Sequence, residues 1–287
     1  MMVVGRRAVE GVNEYKILRA SKMKVTVLEL KPKSAVIDIQ DAPVYIINSI
    51  RRIMLADLPK LAIEDVIIYD NTSPLFDEII AHRLSMIPIP TDLDILTFRE
   101  TCVCGGEGCP NCTVRYTLSK EGEGTVYSGD LQPVDSRWAI KEDKIPIVKL
   151  YGDQRLILEA EAILGRGRDH AKWQAVVAPG YRFIPEITVD PKRIEDAKEF
   201  IETLPEKLVT LKDNKLELSD LKKLPVLESY IEKNDIDFIT IKYETGDLRF
   251  SFETDGSLTA EDALIHSIKI LEEKFEEFND HIEKLKK

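Results

Sequence analysis

The segment from residue 41 to residue 71 reads DAPVYIINSIRRIMLADLPKLAIEDVIIYDN and decides the fold. Asp41 stands where a helix N-cap belongs, and Pro43 suits the first turn of a helix. The helix is predicted to end before Pro59, and residues 62–71 predict a strand. Apolar residues recur at helical spacing on one face: Ile46, Ile47, Ile50, Ile53 and Met54.

Antiparallel β-hairpins are predicted near both ends of the chain. Residues 25–40 alternate apolar and polar side chains on either side of a turn at Pro32 to Ser34. Residues 237–254 repeat this pattern around Thr245 to Asp247, and one helix follows. Because each hairpin is followed by a helix, we expect the two ends to pack together, with the middle of the chain inserted between them.

The closing helix carries the strongest periodic signal. It is predicted from Ala260 to Lys286, a length of about 40 Å at about 1.5 Å per residue, and Thr259 with Asp262 imitates a capping box. Apolar residues alternate spacings of four and three, which defines a heptad seam: Leu264, Ile268, Leu271, Phe275, Phe278, Ile282 and Leu285. Either the chain's own sheet covers this helix, or the helix contributes to a subunit interface. We favour the interface, because so long a seam extends past its own hairpin; two aromatic seam residues disfavour an isolated coiled coil.

The middle of the chain is predicted to be rich in β-structure. Residues 75–89, LFDEIIAHRLSMIPI, predict a short helix that runs into an extended segment, and residues 100–160 predict short strands between glycine-rich turns. Residues 191–225 are rich in Lys and Glu with a modest helical period. This pattern fits either a small subdomain or a long surface loop. Residues 1–22 show no clean period and are interpreted as an N-terminal extension.

All four cysteines lie in one stretch, TCVCGGEGCPNC, at residues 101–112. They are Cys102, Cys104, Cys109 and Cys112, with the spacing C-x-C-x4-C-x2-C and turn-forming glycines between them. Four thiolates can surround a tetrahedral ion at about 2.3 Å, and Zn²⁺ is the commonest ion that accepts four sulfurs. We predict a closed, structural zinc site. Disulfides or metal-free thiols are one alternative and an iron–sulfur cluster is another, although the familiar cluster spacings do not match.

The composition excludes several classes of protein. The 287 residues contain 40 Lys and Arg against 51 Asp and Glu, a net charge of -11, which argues against a free-standing nucleic-acid binder. Hydrophobic residues make up 44% of the chain and charged residues 32%, which excludes disordered and collagen-like chains. No stretch approaches the roughly 18 uncharged apolar residues of a membrane span. We therefore expect a cytoplasmic protein.

Enzyme signatures are missing from the sequence. It contains no G-x4-G-K-[ST], G-x-G-x-x-G, G-x-S-x-G or H-E-x-x-H motif, and its four histidines are scattered. We therefore expect no catalytic residue.

A glycine-rich basic loop, GRGRDHAKW, occupies residues 165–173. Because the chain is acidic overall, we favour a contact of this loop with another subunit, with a solvated loop or a nucleic-acid contact as alternatives.

Four segments together resemble the D subunits of archaeal DNA-directed RNA polymerases. They are residues 41–89, the cysteine stretch, the GRGRDHAKW loop, and DGSLTAEDAL at the start of the closing helix. The similarity covers essentially the whole chain from Met23 onward, in the same order. This family corresponds to the third-largest subunit of eukaryotic RNA polymerase II and to the amino-terminal domain of the bacterial α subunit.

The resemblance implies an α+β fold with two main domains. A composite dimerisation domain of antiparallel strands and long helices would contain residues 23–62, 178–190 and 226–287. An inserted β-rich domain, residues 63–177, would carry the four-cysteine loop, and residues 191–225 would form a small third element that lacks cysteines.

The resemblance also implies a non-catalytic assembly scaffold of DNA-dependent RNA polymerase. In the family, the two chain ends pair with the small subunit L, and this heterodimer assembles with subunits N and P and the second-largest subunit. Neither sequence-specific DNA binding nor membrane contact is expected. The second of two paired arginines looks like a contact to the large subunit. Candidate interface residues are Ile46, Ile50, Arg51, Arg52, Ile53, Arg83, Leu264, Ile268, Leu271, Phe275, Phe278 and Ile282.

The sequence departs from some members of this family. Some of these archaeal subunits bind an iron–sulfur cluster through cysteines of a third domain, and residues 191–225 contain none. That cluster is therefore expected to be absent. The cysteines at 102–112 resemble instead the zinc loop of the eukaryotic homologue, with one extra residue in the middle spacer. A zinc-dependent nucleic-acid-binding module and an iron–sulfur redox protein remain alternative functions.

Overall fold

The chain folds mainly into β-sheet. The structure, a computed structural model, describes residues 23–205 and 208–285, without the side chains of residues 244–246. The described residues form twelve strands and five α-helices in this order: β1 (Lys24–Lys31), β2 (Ser34–Gln40), α1 (Val44–Ala56), β3 (Pro59–Asn71), α2 (Asp77–Ser85), β4 (Thr113–Glu121), β5 (Gly124–Tyr127), β6 (Gln132–Pro133), β7 (Pro146–Leu150), β8 (Arg155–Arg166), β9 (Val176–Val189), α3 (Ile194–Thr203), β10 (Val209–Lys212), β11 (Lys215–Leu218), α4 (Leu224–Lys233), β12 (Ile239–Thr254) and α5 (Ala260–Leu285). The prediction of a mixed protein of helices and sheets is confirmed.

The strands form three sheets. A six-stranded sheet has the order β1-β2-β12-β9-β11-β10, a four-stranded sheet the order β3-β8-β4-β6, and β5 pairs with β7. The predicted first hairpin is confirmed, since β1 and β2 are neighbours and a turn at Pro32 and Lys33 joins them. The helix α1 begins at Val44, two residues later than an Asp41 cap predicts, because Asp41 adopts a left-handed φ of 55° instead of the extended conformation of an N-cap.

The predicted second hairpin is wrong, because residues 239–254 form one continuous strand, β12. This strand lies between β2 and β9 in the sheet. Near its start, the Thr188 hydroxyl on β9 donates to the Thr240 carbonyl at 3.4 Å. Farther along, Arg249 donates to Asp38 on β2 at 2.7 Å. Because β12 has a strand on both sides, these contacts outweigh the local turn preference of a Thr-Gly-Asp tripeptide.

The described residues divide into two compact units. One contains residues 23–26, 38–44 and 182–249 except 206–207, and the other contains residues 27–37, 45–181 and 250–285. These bounds differ from those of the predicted domains, which rest on the family resemblance and stay a prediction.

The first unit has the order β-α-β-β-α-β, which is typical of ferredoxin-like folds. β11 pairs antiparallel with β10 and with β9. Phe200 on α3 and Leu227 on α4 are buried in its core, where the ring of Phe200 meets that of Phe238 edge-on at 6.5 Å. Residues 191–225 therefore belong to a folded module and are not a long surface loop. All four cysteines lie outside this unit.

The second unit has its core on the four-stranded sheet. β8 pairs antiparallel with β3 and with β4, so that Leu158 lies opposite Leu118 in the register. Ile80 and Leu84 of α2 pack into this core and are fully buried. The Tyr116 hydroxyl donates to the carbonyl of Trp138 at 2.7 Å, and burial raises the pKa of Tyr116. The cysteine stretch ends directly before β4, so this sheet fixes its position.

Candidate metal centre and interaction surface

The four predicted cysteine ligands come together in the structure. Their Sγ atoms all lie within 4.8 Å of one another, and none forms a disulfide. The Sγ···Sγ distances are 3.5 Å for Cys102 and Cys109, 3.7 Å for Cys104 and Cys112, and 3.9 Å for Cys109 and Cys112. Sulfurs at the corners of a tetrahedron around one ion, with bonds of about 2.3 Å, stand about 3.8 Å apart. The cysteine loop could therefore hold a single metal ion.

Tight turns bring the thiols together. Gly105, Gly106 and Gly108 adopt φ values of 68°, 88° and 92°, in the left-handed region that glycine enters without steric cost. The N–H of Gly105 donates to the Cys102 carbonyl at 3.0 Å, and the N–H of Cys112 donates to the Cys109 carbonyl at 3.0 Å. The sequence-based interpretation of these glycines as turn residues is confirmed.

Arg99 joins the cysteine loop to the sheet, a role that the sequence did not reveal. Its Nε donates to the Gly106 carbonyl at 3.0 Å. Its Nη1 lies 3.4 Å from the Glu161 carboxylate on β8 and 3.6 Å from Asp65 on β3. The spacing of one arginine and two distant carboxylates gives no local pattern, so only the fold brings them together.

Hydrogen bonding gives the thiols of the cysteine loop different pKa values. The backbone N–H groups of Cys109 and Gly108 stabilise the Cys104 thiolate and lower its pKa to about 5. The N–H of Cys104 likewise lowers the pKa of Cys102. The N–H of Asn111 favours the Cys109 thiolate, but hydrogen bonds with Cys102 and Cys104 together with desolvation outweigh it and raise the pKa of Cys109 to about 11. At least one thiolate is thus available at neutral pH, as a metal site needs.

The donor set fits one four-coordinate ion better than a larger cluster. Each thiolate of a [4Fe–4S] cluster binds a different iron, which would hold the sulfurs farther apart than the distances seen here. With four protein sulfurs around it, an ion has no open position for a substrate, so the site would be structural. In the described part of the chain, these cysteines are the one group of three or more His, Cys, Asp or Glu residues placed to hold an ion.

The helix α5 leaves most of its apolar seam open. Its first turns are covered, since Ala260, Ala263 and Ser267 are buried. Farther along, the exposed fraction is 45% for Ile268, 52% for Phe275 and 62% for Phe278. The remaining predicted interface residues of this helix are half-buried: Leu264, Leu271 and Ile282.

Three contacts fix the start of α5. The Thr259 hydroxyl accepts from the N–H of Asp262 at 3.1 Å, as the predicted capping box requires. Just before the helix, the ammonium of Lys60 on β3 forms an ion pair with Asp255. The Lys60 side chain is only 4% exposed and that of Asp255 20%. Asp255 also accepts from the N–H of Ser257 at 2.9 Å.

The predicted interface residues of α1 have two different environments. Ile50 and Ile53 are buried by the chain itself, whereas Ile46 is half-buried and Arg52 is exposed. Arg51 donates to the side chain of Asn48 at 2.9 Å, one turn earlier on the same helix. Ile50 and Ile53 therefore have little surface left for a partner.

Three further exposed apolar residues were not among the predicted interface residues. Tyr45 on α1 is exposed, as are Leu28 and Leu30 on β1. The signal that could have found them is the apolar content of β1, which carries apolar side chains on both faces. The predicted partner residue Arg83 is exposed on α2 and donates to the Ile147 carbonyl at 2.6 Å.

The basic loop at residues 165–173 is engaged within its own unit. Arg168 forms an ion pair with Asp57, directly after α1, and Lys274 of α5 pairs with the same carboxylate. Lys172 is buried, pairs with Glu64 and donates to the Ile63 carbonyl at 3.0 Å. These cations therefore hold β3, α1 and α5 in place. Burial, followed by the neighbouring Arg168 and Arg166, lowers the pKa of Lys274.

Replacing Gly167 with alanine should destabilise the second unit by about 1–3 kcal/mol. A Cβ atom at this position would overlap the backbone carbonyl oxygen of Leu55, which cannot move without distorting α1. Urea unfolding followed by tryptophan fluorescence measures the effect, since both tryptophans, Trp138 and Trp173, lie in this unit. Gly180→Ala is the control, because its Cβ would meet no heavy atom within 4 Å. Equal stability of the two variants would contradict the steric argument.

No α-helix in the described ranges is both long enough and apolar enough to cross a membrane.

Comparison with known proteins identifies the family. Residues 62–189 match the family model described as the RNA polymerase Rpb3/RpoA insert domain. The DNA-directed RNA polymerase subunit Rpo3 of Methanosarcina acetivorans is 40% identical over 258 residues, which cover 89% of this chain and 96% of that relative. The Rpo3 subunit of Picrophilus torridus is 37% identical, covering 87% and 96%, and that of Archaeoglobus fulgidus is 36% identical, covering 91% and 98%. The resemblance found in the sequence is confirmed, and the chain belongs to the Rpo3 family of archaeal DNA-directed RNA polymerase subunits.

Proposed function

We propose that this chain is the assembly scaffold of its polymerase and pairs with the small subunit L through α5 and the exposed part of α1. As a member of the Rpo3 family, it is a subunit of a nucleotidyltransferase complex and is not itself catalytic. The observation that carries the proposal is the open apolar seam of α5, with Ile268, Phe275 and Phe278 about half exposed. The heterodimer would then assemble with subunits N and P and the second-largest subunit, in the cytoplasm.

The energetics support a partner on this helix. Full burial of a large apolar side chain contributes about 1.5–3 kcal/mol relative to exposure. Ile268, Phe275 and Phe278 lie in one row and are about half exposed. Burying their exposed parts against a second surface would therefore stabilise a complex by several kcal/mol. Contiguous apolar patches of this kind mark interaction sites on soluble proteins. The exposed Arg52 on α1 is the proposed contact to the large subunit.

We further propose that the cysteine loop binds a structural Zn²⁺. Cys102, Cys104, Cys109 and Cys112 would hold the ion, and their near-tetrahedral spacing supports this choice. Bound there, zinc supplies cross-links between the turns of a loop that has little apolar core of its own. The iron–sulfur alternative has less support because the sulfurs stand too close together for a cluster.

The nucleic-acid-binding alternative also has less support. Two of the three Arg and Lys residues in the basic loop, Arg168 and Lys172, are paired with the chain's own Asp57 and Glu64. Phosphate contacts need free cations, and the net charge of the chain is -11.

Native mass spectrometry of the polymerase subcomplex tests both proposals together. The complex purified with this chain is expected to contain subunit L and one zinc ion per copy. The double variant Cys109→Ser with Cys112→Ser should lose the zinc, because two of four ligands are gone, and should increase hydrogen exchange in residues 100–115. It should still contain subunit L, since the seam lies on α5. A purified complex without L would overturn the scaffold proposal, and a complex without zinc would overturn the metal proposal.

A further inference from the structure

The distal half of α5 is strongly acidic. Between residues 272 and 283 the helix has one lysine, Lys274, which is already paired with Asp57. Six carboxylates surround it: Glu272, Glu273, Glu276, Glu277, Asp280 and Glu283. The proximal part of the helix instead carries the buried small residues that contact the rest of the unit. The negative charge is thus concentrated on the same half of the helix as the exposed seam.

Three of these carboxylates border the seam. Each residue advances about 100° around an α-helix, so Glu272, Glu276 and Glu283 lie on one flank. Glu272 and Glu276 are the two beside Leu271 and Phe275. The opposite flank faces the rest of the unit, as the burial of Ser267 and the ion pair of Lys274 show. Glu272 and Glu276 are both exposed, and the structure shows no ion pair for either of them among the residues it describes.

We infer that the surface which covers this seam has an apolar centre and a rim of lysine or arginine side chains facing Glu272 and Glu276. This inference rests on the proposed function and specifies the chemistry of the partner. Carboxylates beside an apolar interface lose water when it forms, which is favourable only if opposite charges meet them. Flanking charges of this kind select partners in paired helices.

The same carboxylates act against pairing with a second copy of this chain. In a symmetric dimer, both copies would bring their acidic flanks to one seam. Like charges placed together at an interface are repulsive, and the net charge of -11 on each copy adds to the effect. The same carboxylates therefore favour binding of a basic partner and disfavour a homodimer.

Charge reversal on the two flanks of the helix tests the inference. Subunit L is titrated against the full-length chain at low and at high salt. The double variant E272K with E276K should bind L about tenfold more weakly at low salt, because attraction becomes repulsion. The difference should shrink at about 1 M salt, where the screening length falls to about 3 Å. The matched control is E273K with D280K, which changes the net charge equally on the face away from the seam. It should bind within about twofold of the unsubstituted chain.

The outcomes separate this inference from the proposed function. If the unsubstituted chain does not bind L, the proposed function and the inference fall together. If it binds L but both double variants lose affinity equally, or neither does, the inference alone is overturned. Sedimentation of the chain by itself should show a monomer. A stable homodimer that Phe275→Asp dissolves would also overturn the inference.

Discussion

Replacing Phe275 with aspartate is expected to abolish the complex with the small subunit, and Leu271→Asp should do the same. Full burial of such a side chain is worth about 1.5–3 kcal/mol, and pairing would bury the half that is still exposed, so each substitution removes about half of that amount. It also places a carboxylate where it must lose its water on binding. Since about 1.4 kcal/mol corresponds to a factor of ten, affinity should fall by more than about 100-fold. Co-purification and titration calorimetry with subunit L measure the loss.

Phe275→Asp tests the interface more directly than Leu271→Asp does. Phe275 is 52% exposed in the chain, whereas Leu271 is half-buried and contributes more to the chain's own packing. Lys284→Asp is the control, because it adds an aspartate on the face of α5 away from the seam. Circular dichroism should show an unchanged helix content in all three variants. Survival of the complex in both seam variants would mean that α5 is not the interface.

Asp255→Ala should lower the free energy of unfolding of the second unit by about 3–5 kcal/mol. The variant leaves the ammonium of Lys60 without its partner in a place where that side chain is only 4% exposed, and an unpaired buried charge is costly to this extent. It also removes the acceptor for the N–H of Ser257. Urea unfolding, followed by the fluorescence of Trp138 and Trp173, gives the change.

A second substitution distinguishes the buried charge from other effects of Asp255→Ala. Adding Lys60→Met removes the ammonium, so the double variant should be more stable than Asp255→Ala alone. Glu142→Ala serves as the comparison for an exposed ion pair, since the side chains of Lys33 and Glu142 are 53% and 44% exposed. Its cost should stay within about 1 kcal/mol. A double variant as unstable as Asp255→Ala would show that the ammonium is not the cause.

Local patterns in the sequence were sufficient to predict several features of the structure. The helix α5 was predicted because the heptad pattern from Leu264 to Leu285 is a strong periodic signal, and its cap because Thr259 and Asp262 have the spacing of a capping box. The cysteine loop was predicted because its ligands are close in sequence, and a loop with three left-handed glycines can fold back on itself. In both cases the information lies within one continuous segment.

Features that depend on distant segments were not predictable in this way. The strand β12 was divided into a hairpin because Thr245 to Asp247 resemble a turn, and the strands that pair with it on both sides come from residues far away in sequence. The ferredoxin-like module was underestimated because β9 and β12 supply half of its strands from outside residues 191–225. No local sequence pattern marks Asp57, although the fold brings two cations to it.

The compactness of the cysteine loop has a consequence for biogenesis. Its four thiols span only residues 102–112, so the proposed Zn²⁺ could bind soon after this stretch leaves the ribosome. The helix α5, at residues 260–285, is made much later. Under the proposed function, metal loading could therefore occur on a nascent polypeptide, whereas recruitment of the sister subunit would wait until translation has passed α5. A shortage of zinc would then leave the loop without its ion before the companion subunit binds.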